Sequence, residues 1–133
     1  MLLKGRSISK GIAEGEVLLT RAQISFFGGV DPSTGAVIEK GHELEGKSIA
    51  RKILVFPSGK GSTVGSYTLY RLKKNGAAPA AIVNSECEPI VAVGAIISGI
   101  PAIDKLNKDV FKILKTGMRA RVDGTRGTLE VWG

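Results

Sequence analysis

The apolar run Lys52-Ile-Leu-Val-Phe56 stops at Pro57, and the next nine residues, Ser58-Gly-Lys-Gly-Ser-Thr-Val-Gly-Ser66, are glycine-spaced and rich in hydroxyls. Tyr67 to Lys74 then carries good helix formers up to Asn75-Gly76, a C-terminal stop. A strand, a glycine loop and a helix in that order constrain the fold more than any other feature here. The loop must deliver the chain to a helix N-terminus. Unpaired N–H groups there, with roughly half a unit of positive dipole charge, suit an oxyanion, a carboxylate or a phosphate. Glycines allow such groups close approach.

The neighbouring segments place this unit in a sheet. Pro79-Ala-Ala-Ile-Val-Asn84 is a second short apolar run bounded by turn residues, and it is expected beside the first strand. Strand, helix, strand implies a right-handed crossover, with the loop at the carboxyl end of a strand, where open α/β sheets bind ligands. Glu86-Cys-Glu-Pro89 leads into Ile90 to Ile97 and Ser98-Gly99, which reads as a buried helix with proline in its first turn. Ile100 to Ile103 is a short strand or edge, because Pro101 argues against a central ladder position. Asp104 to Leu114 fits a mostly exposed helix or turn, ended by Gly117.

At the N-terminus, short apolar runs alternate with glycine (Gly5 to Gly11, Ile12 to Gly15, Glu16 to Thr20), as in strands joined by tight turns. Residues 27–36 hold three glycines and a proline and read as a surface loop that borders a site. The chain closes with Arg119 to Trp132, two alternating strands around Asp123-Gly124 and Gly127, a β-hairpin pattern.

Composition limits what this framework does. A chain of 133 residues is one domain, residues 1–133. With 43% hydrophobic and only 5% aromatic residues, the core is aliphatic. The net charge of +7 is evenly spread: residues 1–66 hold nine Lys/Arg against six Asp/Glu, and residues 67–133 hold ten against six. With no basic tail and no aromatic-basic stacking motif, nucleic acid is not the expected partner. No stretch reaches the roughly 18 apolar residues of a membrane span, and Met1 to Lys4 is too short for a signal-peptide core. A cytoplasmic protein is expected. The single cysteine, Cys87, excludes an internal disulfide and cannot by itself hold zinc or an iron–sulfur cluster, so any cluster must come from a partner.

The loop's chemistry narrows by elimination. A P-loop needs a glycine five positions before its Gly-Lys and Ser or Thr straight after. Leu54 and Gly61 occupy those positions, which excludes nucleotide hydrolysis by that device. Ser62 as a hydrolase nucleophile would need a histidine. Only His42 exists, in a polar segment where solvent exposure is expected. A lysine-assisted serine would use Lys60 or Lys47. Cys87, flanked by two glutamates, is expected to be a partly buried thiol of raised pKa and no nucleophile. The residues alone leave two readings of the loop, a turn with a capping serine or a catalytic site.

The order Gly11-Ile-Ala-Glu-Gly15, Gly46-Lys-Ser-Ile49, Ile53 to Ser62, Pro79 to Val83, and the acidic segment running to Gly99-Ile-Pro101 resembles the aconitase X small subunit. The likeness covers nearly all of the chain. It implies a swivelling β/β/α domain of the α/β class, with central strands, flanking short helices and a terminal β-hairpin. It also implies a large partner subunit carrying an iron–sulfur cluster, with no metal on this chain. Together the two chains would act as a hydro-lyase on a small hydroxy acid. Members of the family dehydrate (R)-5-phosphomevalonate to trans-anhydromevalonate 5-phosphate in isoprenoid biosynthesis, or cis-3-hydroxy-L-proline. A stand-alone small chain of basic balance favours the former.

The family's catalytic serine matches Ser62, which as alkoxide would remove the proton next to the carboxylate. Lys60, Gly61 and Thr63 are then expected to bind substrate or stabilise the anion. Conventional aconitases read Gly-x-Gly-Ser-Ser-Arg in this loop, and here Val64 replaces the arginine. The implied loss of that carboxylate clamp argues against tricarboxylate chemistry. Gly99-Ile-Pro-Ala-Ile103 is also similar to phosphotransfer swivel domains. Those need a loop histidine, so His42 would have to serve.

Overall fold

A computed structural model describes residues 1–132. In chain order its elements are β1 (Leu2–Lys4), β2 (Arg6–Ser9), β3 (Ile12–Leu19), a kinked turn α1 (Phe26–Gly29), β4 (Ile53–Phe56), α2 (Gly65–Lys74), β5 (Ala81–Asn84), α3 (Pro89–Ser98), β6 (Ala102–Asp104), α4 (Val110–Ile113), β7 (Arg119–Asp123) and β8 (Thr128–Trp132). All eight strands join one sheet in the order β1-β8-β7-β3-β4-β5-β6-β2. The run β3-β4-β5-β6 is parallel, and the remaining pairs are antiparallel. Its two ends, β1 and β2, are successive pieces of chain separated by Gly5 alone, so the sheet curls until its ends meet. Gly5 N donates to Gly127 O of the β7–β8 turn at 2.7 Å, fastening the junction.

Successive side chains of a strand point to opposite faces, and this sheet buries both. Ile53, Val55, Ala81, Val83 and Ile103 fill the inside of the curl with Leu3, Val17, Val122 and Leu129. Leu54, Phe56, Ile82 and Ala102 point the other way, against Leu69 and Leu72 of α2, Val91 and Ala95 of α3, and Phe26. The near-continuous apolar character of β4 and β5 follows from this double burial. Phe26 meets Phe56 edge-on, with ring centroids 5.9 Å apart. The helices pack closely at Gly94, where a Cβ would stand 2.6 Å from Leu69 Cδ1 and 3.1 Å from Ser66 Cα.

The strand, helix, strand unit, the swivelling α/β architecture and the terminal hairpin match expectation; three details differ. Pro101 does not keep β6 at an edge, because it stands just before the strand, where its carbonyl accepts from Ile82 N at 2.9 Å and its missing N–H is not needed. The segment after Asp104 forms only the four-residue α4, whose start is capped by Asp109, while Val110 and Leu114 are buried. α3 is not wholly buried. Its Val91, Gly94, Ala95 and Ser98 face the core, whereas Val93, Ile96 and Ile97 remain 50%, 57% and 49% exposed, because no described residue covers that flank.

One buried charge ties the curl together. Asp104 is fully buried, and Arg6 grips it with both arms, Nε to Oδ1 at 2.9 Å and Nη2 to Oδ2 at 2.8 Å. Cys87 N adds a third donor at 2.7 Å. The hydrogen bond and the charge of Asp104 raise the Arg6 pKa. β2, β6 and the β5–α3 loop thus share one anchor.

Closure also needs Gly124, whose Cβ would run into Ser9 O and lie 3.2 Å from both Ala102 N and Gly11 O. All three obstacles are backbone. Gly124→Ala is therefore expected to lower stability by at least about 2 kcal/mol, read as a lower urea midpoint. An unchanged midpoint would show that the closure tolerates slack.

Candidate active site

The three parallel strands β4, β5 and β6 end together, and the loops that leave them are bonded to one another. Pro57 O accepts from Ser85 N at 3.0 Å and Glu86 N at 3.3 Å. Asn84, almost fully buried, donates from Nδ2 to Phe56 O at 3.0 Å, while its Oδ1 has no partner among the described residues. Glu88 caps α3 by accepting from Ile90 N and Val91 N. A Cβ on Gly59 would come within 2.6 Å of both Glu88 Oε1 and Val91 Cγ2. Only glycine lets the loop lie on that first turn.

On its other side the loop is strapped by Gln23 to Ser25. Ile24 bridges Gly59 as a short parallel pair, with Ile24 N to Ser58 O at 3.3 Å and Lys60 N to Ile24 O at 3.0 Å. Gln23 Nε2 donates to Ser58 Oγ at 2.8 Å. Gly61 has φ +95°, and a Cβ there would stand 2.7 Å from Ser25 Oγ. Gly59 and Gly61 thus each have a steric reason.

Ser62 emerges exposed beyond this anchored stretch. Its Oγ accepts from Val64 N at 3.2 Å, and its carbonyl accepts from Gly65 N at 2.9 Å as α2 begins. The amides of Gly61, Ser62 and Thr63 meet no acceptor among the described residues. A hydroxyl that already receives an amide N–H, beside further free amides at a ten-residue helix N-terminus, is placed so that its anion would be stabilised. The capping-serine reading is corrected: the residue preceding α2 is Val64, no side chain caps the helix, and Ser62 Oγ instead closes a two-residue turn onto the Val64 amide.

Lys60 does not point at Ser62: its Nζ lies 3.0 Å from Glu39 Oε2, an ion pair at the loop's shoulder. Lys47 makes no hydrogen bond or ion pair to Ser62 among the described residues. His42 corrects the sequence expectation. It is only 9% exposed, its Nε2 lies 2.9 Å from Gln23 O, and its Nδ1 accepts from Leu44 N at 3.0 Å. Backbone partners that sequence spacing does not show draw it inward. With both nitrogens engaged, neither is free to accept a phosphoryl group. Of residues 27–36, Phe27 approaches the loop, its amide nitrogen 3.8 Å from where a Cβ on Gly65 would stand; Ser25 and Glu39, just outside that segment, meet Gly61 and Lys60.

Cys87 is half-buried, with its thiol pushed up to about 12 by burial first, then by Asp104 and Glu88. Asp104 is the contributor that sequence neighbours do not reveal. Among the described residues no three His, Cys, Asp or Glu side chains gather as metal donors, and Cys87 is the one thiol of the sequence, too few for the cysteine set of an iron–sulfur cluster. Nor is any described helix long and apolar enough to cross a membrane.

A curled mixed sheet with two helices on one face and a serine loop at a helix start defines a swivel domain, and the aconitase X swivel domain model matches residues 2–131. The chain belongs to that family. It is 62% identical over 129 residues to the phosphomevalonate dehydratase small subunit of Methanosarcina acetivorans, covering 97% of this chain and 90% of that protein. It is 59% identical over 131 residues to the phosphomevalonate dehydratase small subunit of Thermococcus kodakarensis, covering 98% and 96%. Among solved structures, the holo-form crystal structure of Thermococcus kodakaraensis aconitase X superposes with a TM-score of 0.95 at 57% identity, over 100% of this chain and 99% of that one. A solution NMR structure of a UPF0107 protein gives 0.90 at 47%, over 100% of both chains.

Two outcomes are expected. Gly61→Ala adds strain at positive φ and a collision with Ser25, and should release protection of the Lys60 amide in hydrogen exchange; unchanged protection would show that the loop can shift freely. Cys87 should resist iodoacetamide at pH 8 in the folded chain and react once urea unfolds it. A free thiol titrates near 9.0 and the folded one near about 12. This group therefore favours the folded state below pH 9 and loses that contribution as pH rises toward 12. Equal labelling of folded and unfolded chains would contradict the burial.

Proposed function

We propose that this chain is the small subunit of a hydro-lyase that dehydrates (R)-5-phosphomevalonate to trans-anhydromevalonate 5-phosphate, and that Ser62 is its base. The observation that carries the role of Ser62 is its exposed Oγ, bonded to the Val64 amide at the start of α2. The substrate rests on the names and near-complete coverage of the relatives. As alkoxide, Ser62 takes the proton from the carbon next to the carboxylate. The electron pair of that C–H bond becomes the new C=C bond, and the hydroxyl on the adjacent carbon departs with the C–O electron pair; over the cycle the proton taken by Ser62 is given up again, so that the net loss is one water.

Serine is a poor base in water, so its anion needs compensation. The Val64 amide and the α2 terminus supply it, while the free amides of Gly61 and Thr63 face the substrate carboxylate or phosphate. Lys60 has a second task open to it: on arrival of an anionic substrate it exchanges Glu39 for the new negative charge. Val64 provides no arginine clamp, which suits a substrate with one carboxylate. An iron–sulfur cluster on the larger subunit would supply the Lewis acid that polarises the departing hydroxyl; among the described residues of this chain no three donor side chains gather to hold one. The larger subunit approaches over the exposed flank of α3, which begins beside the loop and carries no charged side chain from Pro89 to Ser98. The complex works in the cytoplasm.

The complex of both subunits is expected to lose at least about a hundredfold in turnover when it carries Ser62→Ala, while still assembling. Near-normal turnover in that complex would remove Ser62 from the mechanism. Faster dehydration of cis-3-hydroxy-L-proline than of (R)-5-phosphomevalonate would reassign the substrate.

A further inference from the structure

Ser62 owes its position to a chain of contacts that ends at a histidine. The loop holds no regular structure between Pro57 and Gly65, yet Ser58, Gly59 and Lys60 are bonded edge-on to Ile24, and Gln23 holds Ser58 Oγ. The strap Gln23–Ser25 is itself irregular and needs support. His42 provides it from behind: its ring spans from Leu44 N, 3.0 Å from Nδ1, to Gln23 O, 2.9 Å from Nε2. An amide N–H can only donate, so Nδ1 must accept and the ring proton sits on Nε2, pointed at the Gln23 carbonyl. The same turn also places Glu39 against Lys60 Nζ. Residues 39–44 therefore hold the base loop at two points, one on the strap and one on the loop itself.

From this geometry we infer that His42 is a positioning residue for the Ser62 loop, acting through the Gln23 carbonyl. It touches no reacting atom. Both ring nitrogens are engaged by backbone groups, and these two bonds fix its tautomer and its orientation. What it supplies is rigidity in the strap on which Gly59, Lys60 and Gly61 rest. Misplacement of a reacting group by about 1 Å costs on the order of a hundredfold in rate. The inference rests on the proposed role of Ser62 where turnover is the readout.

Two substitutions separate the two bonds of the ring. His42→Asn puts an amide oxygen where Nδ1 stands, so the Leu44 turn survives as an Asx-turn while the reach to Gln23 is lost. His42→Gln puts an amide nitrogen where Nε2 stands, keeping the bond to Gln23 and giving up the turn. In the two-subunit complex with (R)-5-phosphomevalonate, H42N is expected to lose about tenfold to a hundredfold in kcat with little change in KM. H42Q should stay near the unsubstituted rate. In the full small chain alone, hydrogen exchange at the Lys60 amide should accelerate in H42N and remain slow in H42Q. A purely structural histidine would make both variants lose turnover in step with their melting temperatures, and that result overturns the inference. So does an H42N chain with unchanged Lys60 protection. The exchange measurement needs no substrate, so a complex that proves inactive on phosphomevalonate refutes the proposed function and leaves the strap to be decided by exchange.

Discussion

Everything at the candidate site depends on β4 being buried on both faces. Ile53, Leu54, Val55 and Phe56 are each fully buried, alternating between the inside of the curled sheet and the helix layer. A strand held in this way cannot slip by one residue without turning its side chains to the wrong layer. Its carboxyl end is therefore a fixed point, and Pro57 leaves it in a fixed direction. The Pro57 carbonyl then binds the two amides that begin the loop after β5, so the starts of α2 and α3 share one origin. The serine loop lies over that origin.

The division of labour inside the loop follows from sterics more than from charge. Gly59 is pressed on the first turn of α3, and Gly61 adopts a backbone angle that side chains avoid while lying against Ser25. Between them Lys60 is the one side chain with room to leave the surface, and it finds Glu39. Beyond them the chain is free of such contacts, and there Ser62 presents its hydroxyl. A rigid stem with an open tip would suit the base proposed for Ser62. The relatives are themselves named as small subunits.

Much of the fold was legible in the sequence, for physical reasons. Ile53 to Phe56 and Ala81 to Asn84 have the length and composition of buried strands, Asn75-Gly76 stops a helix, and Asp123-Gly124 turns a hairpin. These are local signals, written within a few residues. The Ser62 loop was visible for the same reason. His42 was not, because its partners at Gln23 and Leu44 are backbone groups, which leave no mark in composition. Asp104 likewise has its charge answered by Arg6, 98 positions away. The uncharged α3 reads as a fully buried helix, and the exposed Val93, Ile96 and Ile97 show that its sequence is suited to a surrounding larger than this chain.

The meeting of β1 and β2 at Gly5 bears on the life of the chain before it finds a partner. Open sheets carry a rim of unsatisfied N–H and C=O groups that invites other strands, and proteins suppress that hazard by shortening or closing the rim. Here the two ends of the sheet are strands of three and four residues, joined to each other and bent back over the hairpin turn. Very little rim is left for cross-strand aggregation. The molecule keeps its stickiness on a helix flank, where recognition depends on side-chain shape, and withholds it from the backbone, where almost any extended chain would do.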